Sequence, residues 1–167
     1  MDFNEAFNIL FENEGELSTD KNDPGNWTSG AVGHGVLKGS KFGISAGAYP
    51  NLDIPNLTIE GARRIYKENY WDKLSLDCLN PSITFDLFDC AVNSGISRAV
   101  KILQITVGSV PDGTIGQDTI KRSNSYGVNL SKHYNAYRLL FYTSLKSFDS
   151  QGKGWVNRVA HNMLKSR

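Results

Sequence analysis

Phe3-Asn4-Glu5-Ala6-Phe7-Asn8-Ile9-Leu10-Phe11-Glu12-Asn13-Glu14-Gly15 sets Phe3, Phe7 and Leu10 on one helical face, at the spacing of an amphipathic helix. At about 100° per residue, position 14 returns to roughly 20° from position 3, so Glu14 shares the apolar stripe. Gly15 is the usual residue just past a helix end, which places Glu14 in the last turn, at the negative end of the macrodipole. Burial and dipole both favour the protonated acid.

The rest of the chain reads as helices around one core. Thr58 caps a helix that carries Ile59, Ala62, Ile65, Tyr66 and Tyr70 inward and ends near Trp71. Pro81 suits a first helical position, and Ile83, Phe85, Leu87, Phe88, Ala91 and Val92 are apolar around much of the circumference, which makes that helix central. Ser97 caps another helix running to Gly108, a long amphipathic stretch covers Leu130 to Leu145, and a last helix starts near Lys153. Strand signal is confined to the glycine-rich Ser29–Ser40 segment. The expected fold is mainly α: a single helical domain over 1–167 with at most one small β-hairpin.

Composition bounds the function. At 167 residues and 40% hydrophobic, the chain can build one good core. A net charge of +1 without a Lys or Arg run gives no basis for nucleic-acid binding. The apolar run Ile83–Val92 is broken by Thr84, Asp86 and Asp89 and is far short of the roughly 20 residues that span a bilayer, so no membrane insertion is expected. Met1-Asp2-Phe3-Asn4-Glu5 lacks a basic start followed by an apolar core, so no secretory signal is read and synthesis is expected in the cytoplasm. Cys78 and Cys90, the two cysteines, are read as buried, unbridged thiols, since a helix from Pro81 would set Cys90 about 13 Å along it. Together with His34, His133 and His161 they lack zinc-ligand spacing, and no metal or other cofactor is expected.

Chemistry concentrates after Glu14. A protonated carboxylic acid beside a second, ionised carboxylate is what a glycosidase uses to protonate a leaving oxygen and activate water. Asp20 and Asp23 are the candidate partners. Asn22-Asp23-Pro24-Gly25 is a turn able to aim Asp23, whereas Asp20 is read as a residue bonding to its own turn. Thr28 could hold a water. Trp27, in the loop between them, is the best of the three tryptophans as a sugar platform, because Trp71 and Trp155 fall in helical apolar patterns. Asp89 and Asn93 lie one turn apart on the central helix, and either floor a cleft that binds sugar amides and hydroxyls or form an internal hydrogen-bonded network.

Glu14-Gly15-Glu16-Leu17 with Asp20, Asp23-Pro24-Gly25, Thr28 and Lys41-Phe42-Gly43-Ile44-Ser45 resembles the glycoside hydrolase family 108 pattern. Tyr70-Trp71-Asp72, Phe88-Asp89-Cys90-Ala91-Val92-Asn93-Ser94-Gly95 and Gly154-Trp155-Val156-Asn157-Arg158-Val159 extend the resemblance over nearly the whole chain. It implies a lysozyme-like domain and an N-acetylmuramidase acting on bacterial peptidoglycan, of phage endolysin or secretion-assisting type, with Glu14 as catalytic acid. The interval to Asp23 is similar to that in phage-type lysozymes, which implies Asp23 as water-activating base and Thr28 as its polar partner. Residues 1–95 would be the catalytic half and 96–167 a helical half resembling a peptidoglycan-binding region, through Asp112-Gly113 and the residues after it. The resemblance further implies a monomer that reaches the periplasmic wall through a holin or another translocation route. The rivals are a lytic transglycosylase using Glu14 alone and a non-catalytic peptidoglycan-binding module.

Two departures from the family pattern stand out. Glu16-Leu17 replaces Gly-Tyr, and Asn26 replaces the second glycine of an Asp-Pro-Gly-Gly turn. The Ser29–Ser40 segment, with Gly30, Gly33, Gly35 and Gly39, is an insert relative to shorter members, read either as a mobile hairpin flap or as a spacer.

Overall fold

The computed structural model describes residues 1–11 and 16–165. Among them the chain is mainly helical: α1 (Phe3–Phe11), α2 (Ile59–Tyr66), α3 (Thr84–Ser94), α4 (Ile96–Val107), α5 (Gln117–Ser125), α6 (Leu130–Thr143) and α7 (Phe148–Lys165). β1 (Ser40–Lys41) and β2 (Ile44–Ser45) pair antiparallel, Ser40 opposite Ser45 and Lys41 opposite Ile44. The hairpin thus falls on the Lys41-Phe42-Gly43-Ile44 run rather than within the glycine-rich insert. Small polar residues and glycines there favour turns over a ladder.

The chain forms two compact units, Phe7–Glu68 and Met1–Ala6 with Asn69–Arg167. These differ from the expected halves 1–95 and 96–167, because α3 falls with α4 to α7.

In the smaller unit, Phe7 and Phe11 are buried one turn apart and meet the Tyr66 ring at 5.9 and 4.5 Å between centroids. Leu10, expected on that stripe, is only half-buried. The Thr58 hydroxyl caps α2 by accepting from the Gly61 amide at 3.1 Å, as its sequence position predicts. A single π-helical turn, Lys67–Trp71, carries the chain out of α2.

In the larger unit α3 is the central helix: Thr84 to Ala91 are all buried. Phe3, Trp71 and Phe88 form a cluster of edge contacts, with centroids 5.4 to 6.1 Å apart. Each such pair adds about 0.5–1.5 kcal/mol beyond the area it buries. α3 starts at Thr84 and not at Pro81, because the Asn80 side chain accepts from the Ser82 amide at 3.0 Å and holds a preceding turn. Gly95, at φ 87° and ψ 147°, separates α3 from α4 in a conformation reserved for glycine. Ser97 therefore lies inside the first turn of α4, not at its cap. α6 keeps its expected start at Leu130, and α7 begins at Phe148, before the expected Lys153.

Both cysteines are free, and Cys90 is buried, which pushes its thiol up and keeps it protonated. Cys78 is exposed, contrary to expectation, because it ends a short 3-10 turn (Leu76–Cys78) whose buried residue is Leu76. No described helix is long and apolar enough to cross a membrane.

Candidate active site

The segment after Gly15 is organised by side chains that bond to their own turn. Asp20 Oδ1 accepts from the Asn22 amide at 2.9 Å, the local turn expected of it. Asp23 Oδ1 accepts from the Gly25 amide at 2.8 Å and caps a 3-10 turn, Pro24–Asn26. One carboxylate oxygen of Asp23 is thus fixed by the backbone while the residue stays exposed to solvent.

Asn26 is the residue that sequence reasoning undervalued. It is completely buried, its Nδ2 donates to the Asp20 carbonyl at 3.0 Å, and its own carbonyl accepts from the Lys38 and Gly39 amides at 3.1 and 3.0 Å. A glycine in its place could keep the backbone bonds but not the tie to Asp20. Its departure from the family pattern, beside a long insert, was the available signal.

Trp27 is half-buried, and its indole N–H donates to the Lys21 carbonyl at 3.0 Å. With that donor used, the ring face is what it can offer a sugar. Thr28 closes the insert: its amide donates to the Val36 carbonyl at 3.0 Å, and its Oγ1 accepts from the Val36 amide at 2.9 Å. The hydroxyl proton remains for a water. Gly35 sits under this clasp at φ 77°, where a Cβ would lie 2.5 Å from Thr28 Oγ1. Further bonds run from His34 N to Ala31 O and from Ser29 Oγ to His34 O. The insert is a turn-rich loop closed on itself by the antiparallel bridge of Trp27 with Leu37.

Asp23, Trp27 and Thr28 lie in the smaller unit. Glu14, the expected acid, lies outside the described residues. Asp89 and Asn93 lie in the larger unit, and for Asp89 the structure favours the internal network over a cleft floor. Asp89 is 1% exposed, and its Oδ2 accepts from Arg138 Nη2 at 2.6 Å and its Oδ1 from Arg158 Nε at 2.8 Å. Both oxygens are used within the protein. Asn93 is exposed, with its amide nitrogen 2.7 Å from the Asp89 carbonyl.

The arginine partners were missed in sequence. Arg138 stands between Tyr134 and Tyr142 on the buried stripe of α6, and a charge there requires a counter-ion, which Asp89 on the apolar stripe of α3 supplies. The Asp112 motif is likewise internally satisfied: Gln104 Nε2 donates to Asp112 Oδ1 at 2.8 Å, and Gln104 Oε1 accepts from the Gly113 amide. Among the described residues no group of three or more His, Cys, Asp or Glu is placed to hold a metal.

Comparison with known proteins places this arrangement. SagA of Brucella abortus, a solved structure, superposes with a TM-score of 0.81 at 29% identity, over 98% of this chain and 92% of that one. The likeness supports the mainly α, lysozyme-like fold. No curated protein matches the chain in sequence. The family model described as Glycosyl hydrolase 108 matches residues 7–95, a span that holds Glu14, Asp23, Trp27, Thr28, Asp89 and Asn93. With more than half its length matched, the chain belongs to the glycosyl hydrolase 108 family and is a peptidoglycan hydrolase acting at the cell wall.

Proposed function

We propose that the chain is an N-acetylmuramidase that hydrolyses the β-1,4 bond between N-acetylmuramic acid and N-acetylglucosamine. Glu14 donates its proton to the glycosidic oxygen, the bond from the muramic C1 breaks, and positive charge develops on the ring as an oxocarbenium-like state. Asp23 takes a proton from the attacking water, whose oxygen bonds to C1, and Thr28 orients that water. Trp27 offers its ring to a sugar face.

The observation that carries this reading is Asp23: a solvent-exposed carboxylate, one oxygen held at 2.8 Å by the Gly25 amide, nine residues after the glutamate of the family motif. A base for water needs this combination of fixed direction and access. The protein is expected to work as a monomer and to reach the wall through a holin or another export route.

Mass spectrometry of purified sacculi after digestion tests the reading. A muramidase leaves reducing N-acetylmuramic acid ends. Anhydro-muramic ends would assign a lytic transglycosylase, and intact sacculi a binding module.

A further inference from the structure

Asp89 needs one guanidinium for charge balance, and the buried Arg138 provides it. Arg158, on α7, adds a second through Nε alone, with its side chain 38% exposed. Among the described residues its two Nη groups have no partner. A guanidinium held by Nε presents these donors outward with little rotamer freedom left to lose, the geometry suited to a planar carboxylate. Asn93 reaches the same Asp89 oxygen at 3.3 Å, so an exposed amide lies beside the half-buried Arg158. The Trp155 ring packs on Tyr142 with centroids 5.1 Å apart, and Tyr142 in turn accepts from Arg138 Nε at 2.8 Å.

Gly154 is a second, independent observation. It lies one turn before Arg158 on the same helical face, inside α7, where glycine is a poorer helix former than every residue but proline. Gly152 has a packing reason for being glycine, since a Cβ there would meet the Phe148 ring at 2.6 Å. Gly154 has none: nothing lies within 4 Å of where its Cβ would be. What it leaves is open surface one helical turn from Arg158.

We propose that Arg158, held by Asp89 and bordered by Asn93 and the open surface at Gly154, is a subsite for the carboxylates of muramoyl-peptide units. This rests on the peptidoglycan reading above. The stem peptide carries such carboxylates, and where the peptide has been removed the lactyl group of N-acetylmuramic acid carries one in its place, so the subsite would favour acidic wall glycan over neutral glycan of the same linkage.

The test is binding to three probes too short to need cleavage: a disaccharide tetrapeptide, the same disaccharide with its peptide removed by an amidase, and neutral chitobiose. Calorimetry gives affinities, and NMR follows the Arg158 Nε–H signal of the wild-type protein. The wild type should bind at least one acidic probe about tenfold more tightly than chitobiose, with that signal shifting. Preference for the peptide-bearing probe assigns the stem, and preference for the stripped one the lactyl group. R158Q should bind acidic probes as weakly as chitobiose. G154L, which fills open space on a helix and keeps every ion pair, should melt no lower than wild type and lose about tenfold on the acidic probe.

Equal affinity for acidic and neutral probes overturns the subsite, as does wild-type-like binding by G154L or an unmoved Arg158 signal. Binding of no probe overturns it too. Digestion of sacculi, read separately, tells whether the hydrolase reading stands when the subsite falls.

Discussion

The Thr28 Oγ1 accepts the Val36 amide at 2.9 Å, so the residue proposed to orient water is also the clasp of the insert. Thr28→Ser keeps the acceptor and should retain activity. Thr28→Val removes it at about 0.5–1.5 kcal/mol of stability, and lysis should fall by more than that melting change explains. Initial lysis rates beside thermal melting separate the two effects.

Gly35 tests whether the insert is a built loop. Its φ of 77°, and the 2.5 Å that would separate an added Cβ from Thr28 Oγ1, make Gly35→Ala destabilising by about 1–3 kcal/mol. Gly33, also at positive φ but with open space around it, gives the comparison: Gly33→Ala bears the backbone strain without the clash and should cost less. Equal melting of the two variants would remove the clasp from the account.

Asp23 and Asp20 separate base from turn. Asp23→Asn should reduce kcat about 10²–10⁴-fold, while Asp20→Asn, whose amide oxygen can still accept from Asn22, should cost less than tenfold. A base acting through water places its carboxylate roughly 6.5–9.5 Å from that of Glu14 and inverts the anomer. NMR of early product reads the stereochemistry, and the reverse mutant ranking moves the role to Asp20.

The Asp89 to Arg138 pair predicts an asymmetric stability series. Asp89→Asn leaves the buried Arg138 without its ion-pair partner and should cost about 3–5 kcal/mol, whereas Arg138→Gln leaves Asp89 paired with Arg158 at 2.8 Å and should cost less. Replacing both with apolar residues of similar volume should recover much of that loss. Urea unfolding of the two single variants and the double variant measures it.

Two carboxyls give opposite pH dependence. Burial raises Asp86 above the ordinary 3.8, against the bond from Ser131 that lowers it. Its contribution to stability is complete below 3.8 and is lost as pH rises through the folded value. Asp112 is lowered by the Gln104 amide and then by the Thr114 backbone, so its contribution is present above 3.8 and lost as pH falls through the folded value. Asp86→Asn should therefore flatten the stability curve above pH 4, and Asp112→Asn should flatten its acid limb, as melting across pH 2 to 7 would show.

Much of the fold was legible because helix signals are local. The Thr58 cap, the Gly108 end of α4 and the start of α6 each depend on a few adjacent residues, and each falls where the sequence puts it. Pro81 and Ser97 misled because Asn80 and Gly95 decide those boundaries by side-chain and backbone geometry that residue type alone does not show. The turn around Asp23 was readable for the same local reason. The fate of Asp89 was not, because its partners lie 49 and 69 residues away, and only folding brings α6 and α7 against α3.

The most direct test of Glu14 as the catalytic acid is digestion of the same sacculi by wild type and Glu14→Gln, scored by reducing ends released. The amide is close in shape to the acid but has no acidic proton to give, and general acid catalysis contributes about 10²–10⁴-fold. The account predicts a fall of that size with unchanged melting and unchanged binding to sacculi. Release of reducing ends by Glu14→Gln within threefold of wild type, a margin far below that roughly hundredfold minimum, would contradict it.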